Sequence, residues 1–424
     1  MAHIRKAEGF VDWLDQRLAV KKLMNVLMIE YWIPKQINFL WAMGVILTVL
    51  FTILFVTGLL LVMYYKPDTA LAFDSVNKTI MQEVEYGWLW RHMHGVAASV
   101  IFLIIYIHML TGIYYGSYKR GREMIWLSGM FLFVVFSAEA FSGYMLPWGQ
   151  MSYWAAQVIT NLFGGVPFIG DALVVWIRGD YAVSDPTLTR FFMLHVCLLP
   201  IVIIMIIVFH FYSLRIPHVN NEIAEELDFD IEAEKYKNGD TKGSKVIPFW
   251  PAFLSKDFMY ISLFMIFFFY LVSFKFGFAM DPINFDPANS LKTPAHIYPE
   301  WYFLWSYEVL RGFFFDINLG FVTIPAFDIG LTAFGIAQII FFLLPWLDRS
   351  EVVKPAHARG KFFIWFWVLL LDLIVLTVYG KLPPTGVNAW VGFVSSIVFL
   401  LLLLVVLPLI TKAEQKEFEQ GGAK

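Results

Sequence analysis

The sequence predicts an all-α, polytopic membrane protein with eight transmembrane helices, and three observations carry that reading. Of its 424 residues, 59% are hydrophobic and only 15% charged, a balance no ordinary soluble domain carries. Eight apolar runs, at 37–63, 88–115, 124–147, 188–213, 257–279, 326–347, 361–380 and 389–410, have about the length that crosses a bilayer as a helix. Two of these runs hold histidines in pairs, His94 with His108 and His195 with His210, at depths where ionisable groups are costly and mark function. The formal net charge of −3 says nothing about nucleic acid, but no basic patch large enough to bind it is present, so no nucleic-acid partner is expected. The single cysteine, Cys197, excludes an intrachain disulfide and a cysteine-ligated zinc or iron–sulfur site within this chain.

Residues 1–33 are amphipathic, with acids among the apolar positions and no apolar core before Trp32. They read as a helix lying in the membrane interface, not as a cleavable signal peptide; a solvated N-terminal helix is the alternative. An even number of spans puts both termini on one side. The loops 116–123 (GSYKRGRE) and 348–361 (DRSEVVKPAHARGK) lie on that side and are basic, the second mildly, so the positive-inside rule makes it cytoplasmic. Segments 64–87, 148–187 and 280–325 then face outward. The stretch 150–187 has helical periodicity broken by Gly and Pro, which predicts surface helices. Segment 280–325 is rich in Pro and aromatics, and loops of such length tend to be functional. The inner segment 214–256 is polar and charged over 220–247 and reads as a solvated cytoplasmic linker.

His94 and His108 are fourteen residues apart, four turns at the 3.5-residue period of packed bundles, so both imidazoles face one way, about 21 Å apart. His195 and His210 repeat the device. Gly44 and Gly58 in the first run, and Gly129 and Gly143 in the third, stand at the same interval of fourteen. Small-residue helix packing favours spacings of four; glycines at the histidine interval instead let a large planar group approach the backbone. Zinc or non-haem iron would want three or four ligands at one depth, whereas each level here offers two. Two imidazoles per level suit the axial positions of two stacked haems and leave no open position, as an electron carrier requires. Residues 34–213 are therefore read as a four-helix bundle holding two haems. A proton channel could also use intramembrane histidines, but its polar groups should line a path, not pair with glycines at fixed depths. His92, about 200° round the helix from His94, reads as interfacial. Arg91 and Arg190, near the outer ends of their runs, are placed either to pair with haem propionates or to snorkel.

Three motifs set in this frame, GYMLPWGQMSYW (143–154), IPFWPAFLSKD (247–257) and PEWYFLWSYEVLR (299–311), resemble those of cytochrome b. That family is the haem-carrying core of bacterial and other quinol–cytochrome c oxidoreductases, and the resemblance covers nearly the whole chain. It implies two non-covalent haems b, an outer, lower-potential one on His94 and His195 and an inner, higher-potential one on His108 and His210. Ser117, Trp126 and Asn220 join Arg91 and Arg190 in the implied haem-binding set. A Q-cycle is implied as well. Quinol oxidised at the outer face gives one electron to a Rieske iron–sulfur protein, and the other crosses the bundle to reduce a quinone at the inner face. A membrane-anchored c-type cytochrome, the quinone pool and lipids, a homodimeric complex and the bacterial inner membrane belong to the same implication. Within PEWY, Glu300 beside Trp301, Tyr302 and Phe303 sits in apolar company that raises a carboxyl pKa, which suits a group accepting a quinol proton. Tyr302, Tyr144 and Tyr307 match positions at that pocket; by themselves Tyr144 and Tyr307 would read as belt tyrosines. Asp257, following Lys256 at the start of the fifth run, is a helix-dipole contact or, by family position, a proton donor to bound quinone. Residues 257–424 are accordingly the C-terminal four-helix quinol-site domain.

The sequence also departs from the pattern. His195 and His210 are fifteen apart, and the extra residue precedes Pro200, whose missing N–H suits a wide turn. Arg215 stands where a quinone-site histidine is expected, and Thr111 where an arginine often meets the inner propionates. No cysteine in the first run offers a covalent haem attachment, so none is expected. Ala155 stands where many relatives have glycine. Its methyl narrows the outer pocket and predicts weak sensitivity to methoxyacrylate-type inhibitors; nanomolar inhibition of quinol oxidation would contradict that.

Overall fold

The computed structural model describes residues 8–223 and 225–421. Its body is built from α1 (Phe39–Val62), α2 (Gly87–Tyr114), α3 (Glu123–Met145), α4 (Asp185–Arg215), α5 (Phe249–Phe274), α6 (Ala326–Phe342), α7 (Lys361–Lys381) and α8 (Val387–Gly421). These runs are helical because lipid offers no partner to a backbone N–H or C=O, so each must be satisfied within its own segment. Seven of the eight have full spanning length. The eighth, α6, has 17 residues, about 26 Å, and the short helix Leu344–Leu347 extends it.

Within the N-terminal half α1 lies along α2 and α3 along α4, while α6, α7 and α8 gather around a short outer helix, Leu304–Arg311. One apolar core runs through both halves, from Ile46 and Leu50 through Val100 and Phe102 to Tyr302, Leu369 and Phe399. The expected surface helices are Gln150–Leu162 and Gly170–Arg178. Of the N-terminal segment, residues 1–7 lie outside the described residues. The helix Phe10–Leu18 leaves Phe10, Val11, Trp13 and Leu18 exposed, as an interfacial helix would.

The inner segment 214–256 differs from a solvated linker. Strand β1 (Trp32–Pro34) pairs antiparallel with β2 (Val246–Pro248), Ile33 opposite Ile247. The helix Phe229–Lys237, capped by Asp228, packs Ala233 against Trp32 and Val246 in a small core. Apolar residues this sparse form a core only through partners about 200 positions away, so composition alone reads the segment as unstructured. On the outer side, β3 (Ile317–Asn318) and β4 (Thr323–Ile324) form a hairpin.

A buried ionic cluster ties the inner loops together. Asp348 accepts from Tyr118 Oη (2.5 Å), from Lys119 Nζ (2.7 Å) and from both terminal nitrogens of Arg359 (3.0 and 3.1 Å). Arg359 also meets Glu414 at 2.7 Å. Burial alone would raise the Asp348 carboxyl, but Arg359 and Lys119 hold it below its usual range. Asp348→Ala leaves two buried cations short of a counter-charge. It is expected to cost about 3–5 kcal/mol, read as a lowered thermal unfolding midpoint in detergent.

Candidate functional site

Two helices, α2 and α4, bring the four histidines together at two levels. The His94 and His195 ring centres are 6.2 Å apart with planes at 80°; those of His108 and His210 are 6.4 Å apart at 70°. Two imidazole nitrogens, each about 2 Å from a shared metal, put ring centres a little over 6 Å apart. Each gap is therefore wide enough for one metal ion held between its two rings. The fifteen-residue interval on α4 is absorbed by a wide helical turn at Leu194–Leu198, directly ahead of Pro200. Proline has no N–H to close an ordinary turn, so the extra residue is taken up there and both rings keep one face.

The outward-pointing nitrogens of three rings are held. The Thr57 O–H donates to the Ile53 carbonyl (2.6 Å), which leaves its oxygen to accept from His94 Nδ1 at 3.0 Å. Ser128 likewise donates to Met124 (2.7 Å) and accepts from His210 Nδ1 at 2.8 Å. His195 Nδ1 donates to the Glu139 carbonyl at 3.0 Å. With their own protons committed to helix carbonyls, the hydroxyls fix the Nδ1–H tautomer and turn the bare Nε2 into the gap.

The four glycines meet the rings directly. A Cβ on Gly58 would lie 3.4 Å from His94 Cε1, one on Gly129 3.4 Å from His210 Cε1, and one on Gly44 3.8 Å from His108 Cε1. At Gly143 it would overlap the His195 ring. The imidazoles thus stand directly against all four glycine positions, but only at Gly143 does the missing side chain itself make room for the ring; at the other three a methyl group would meet it at ordinary contact distance.

The outer pair opens into a cleft of about 210 Å³ that Arg91, Glu139, Tyr144, Tyr302 and Glu300 also line. Tyr144 donates a hydrogen bond to Glu300. Burial pushes the Glu300 carboxyl up to about 7, against the Tyr144 bond and Lys381, with Asp281 adding to the rise. Burial and the Glu300 charge raise the Tyr302 phenol well above its ordinary value. The PEWY turn is seated on α2. Tyr302 stacks on Phe102 with ring centres 4.0 Å apart, Trp301 Nε1 donates to Ser99 Oγ at 2.7 Å, and Tyr106 Oη donates to the Tyr302 carbonyl. The opposite wall is latched to the same loop. Asn284 Oδ1 accepts from the Ser152 N–H at 2.8 Å, and a Cβ on Gly149 would collide with Asn284, so only glycine passes there.

Other sequence-selected residues lie elsewhere. Arg190 is exposed, with its guanidinium over Gly179 and donating to the Trp176 carbonyl. Tyr307 points away from the cleft, its O–H on the Ile297 carbonyl at 3.3 Å. Trp126 Nε1 donates to Phe341 O at 2.7 Å and so joins α3 to α6. Asn220 donates to Tyr115 O (2.9 Å) and takes the Trp41 indole N–H (3.0 Å), and the Ser117 N–H donates to Gly112 O. His92 stacks on Phe276 at 3.7 Å, facing α5. At the inner end Asp257 is buried in the first turns of α5, Lys256 is exposed, and the Arg215 guanidinium lies 3.8 Å over the Tyr31 ring. Sequence reasoning passed over Thr57, Ser128 and Glu139. Glu139 carried a signal, as an ionisable residue inside an apolar run; the two hydroxyls carried none, because serine and threonine are common in spans.

Metal-sized gaps between paired imidazoles at two depths of a helical membrane bundle define the class, a haem-binding electron carrier of the membrane. Residues 28–217 match the family model described as cytochrome b/b6/petB, and residues 287–400 the one described as cytochrome b (C-terminal)/b6/petD. The chain is 39% identical to cytochrome b of Rhodobacter capsulatus over 423 residues, 98% of this chain and 94% of the relative. It is 40% identical to that of Rickettsia bellii over 411 residues, 97% and 96% of the two chains. A solved structure titled hyperthermophilic respiratory Complex III aligns with a TM-score of 0.85 at 36% identity, covering 96% of this chain and 100% of that one. The chain belongs to the cytochrome b family. It is the membrane subunit of a quinol–cytochrome c oxidoreductase of the complex III type, a multi-subunit assembly, and its role is in the Q-cycle.

Proposed function

We propose that His94 and His195 hold an outer haem b and His108 and His210 an inner one, both non-covalently, and that Glu300 accepts the proton of a quinol bound beside the outer pair. The observation that carries this is the single cleft shared by Glu300 and the outer imidazoles. When bound, the two haems supply one-electron transfer across the membrane. The chain supplies the rest. Thr57 and Ser128 fix the tautomer of their histidines, and Gly143 sets how close α3 comes to the His195 ring. Tyr144 and Tyr302 hold Glu300 in the cleft wall, where its carboxyl is poised between its two protonation states near neutral pH. Arg91, in the same cleft, is the residue placed to meet a propionate. At the inner face Asp257, with Lys256 and Arg215, serves quinone reduction, Asp257 as the proton donor.

The reading extends to the setting. The chain sits in a bacterial inner membrane with both termini cytoplasmic. It works as a homodimer with a Rieske iron–sulfur protein and a membrane-anchored c-type cytochrome, and draws on the quinone pool. Support comes from the basic inner loops, the relatives' bacterial sources and the complex to which the aligned structure belongs. The test is a dithionite-reduced minus oxidised spectrum of the purified protein with haem quantitation. Two haems b per chain are expected; one or none would overturn the four-histidine frame.

A further inference from the structure

Glu139 lies inside α3, an ionisable side chain within a membrane span. Its Oε1 stands 3.2 Å from His195 Nδ1, the same nitrogen that donates to the Glu139 backbone carbonyl at 3.0 Å. Its Oε2 is buried with no hydrogen-bond partner among the described residues, and the side chain lines the outer cleft. At His94 and His210 the side-chain acceptor is a neutral hydroxyl, Thr57 and Ser128. His195 alone of these three is met by a carboxyl group.

We infer that Glu139 is a positioning residue that lowers the midpoint potential of the outer haem through the carboxyl oxygen it places beside His195 Nδ1. The inference rests on the assignment of His195 as an axial ligand. A carboxyl oxygen 3.2 Å from Nδ1, adding to the backbone carbonyl's pull on the same proton, makes Nε2 a stronger donor to iron. Ligand basicity of this kind favours the ferric over the ferrous state, so the potential falls. The inner pair lies about 21 Å further along the helices and has a hydroxyl in the corresponding place on His210. Glu139 therefore lowers one haem relative to the other, and the difference is what carries an electron inward.

The test is an optical redox titration of the assembled complex at one pH, with the two haems resolved. Glu139→Gln keeps the size and an acceptor oxygen but removes the acid. It is expected to raise the ferrous-to-ferric ratio of the outer haem about tenfold at a given potential, equivalent to about 59 mV upward for one electron. The inner haem should not move. Glu139→Asp draws the carboxyl back by one methylene and should shift the outer haem the same way by less. It also serves where the glutamine variant loses haem. An unmoved outer potential in a variant that retains two haems overturns the inference. Equal shifts of both haems overturn it too, since they mark general loosening of the bundle. A His195→Ala protein that still carries both haems would instead overturn the ligand assignment beneath it.

Discussion

His195→Ala is expected to cut the haem content from two per chain to one and to abolish quinol turnover. The ring it removes faces His94 across a 6.2 Å gap and packs against Gly143 with no room for even a methyl group between them. Alanine leaves one axial imidazole and an open space beside α3, and a single ligand on one helix holds a haem weakly. Since losing even an outer-shell partner of a metal site costs about 10–100-fold, loss of the ligand itself should cost about a hundredfold or more in quinol–cytochrome c reductase activity. Haem quantitation with a reduced-minus-oxidised spectrum checks the first part, and steady-state turnover the second. His210→Ala should remove the other haem and leave the outer one reducible. If both variants retained two haems, the pairing of α2 with α4 would be wrong.

Glu300→Gln is expected to slow quinol oxidation by about 10²–10⁴-fold, the usual contribution of a positioned general base. The amide keeps the shape of the cleft, so the loss should fall mainly on kcat. The carboxylate is the form that accepts a proton, and its fraction grows as pH rises through about 7. The wild-type rate should therefore climb across that interval, and the glutamine variant should lose the climb. Tyr144→Phe removes the O–H that favours the charged carboxylate, so the same limb should move to higher pH while some activity remains. A wild-type profile flat from pH 6 to 8, or an unchanged limb in the glutamine variant, would remove Glu300 from this role.

The helical frame and the two-level histidine arrangement were legible in the sequence because both are periodic. A fourteen-residue interval fixes direction and depth on a helix without any knowledge of its neighbours. The wide turn before Pro200 was legible for a related reason, since an extra residue beside a proline has few other places to go. The contents of the cleft were less so. Glu300 could be singled out by its apolar company, but Arg190 and Tyr307, chosen by position, turn to the carbonyls of Trp176 and Ile297. Such contacts depend on which loop packs beside which helix end. The fold of segment 214–256 was hidden for the same reason, because β2 finds its partner strand near the other end of the chain.

Helix α2 presents His94 and His108 on one face. Ser99, Phe102 and Tyr106, which seat the PEWY turn, lie on another, roughly 130° round. The turn that carries Glu300 and the histidine that faces it across the shared cleft are thus bolted to one rod, whose own width fixes how the two stand to each other. Thinner or thicker lipid changes how a span tilts or how its ends are dressed, but not the width of a helix. The rate of the first inward electron hop should accordingly be insensitive to acyl-chain length in reconstituted vesicles, even where the stability of the protein is not.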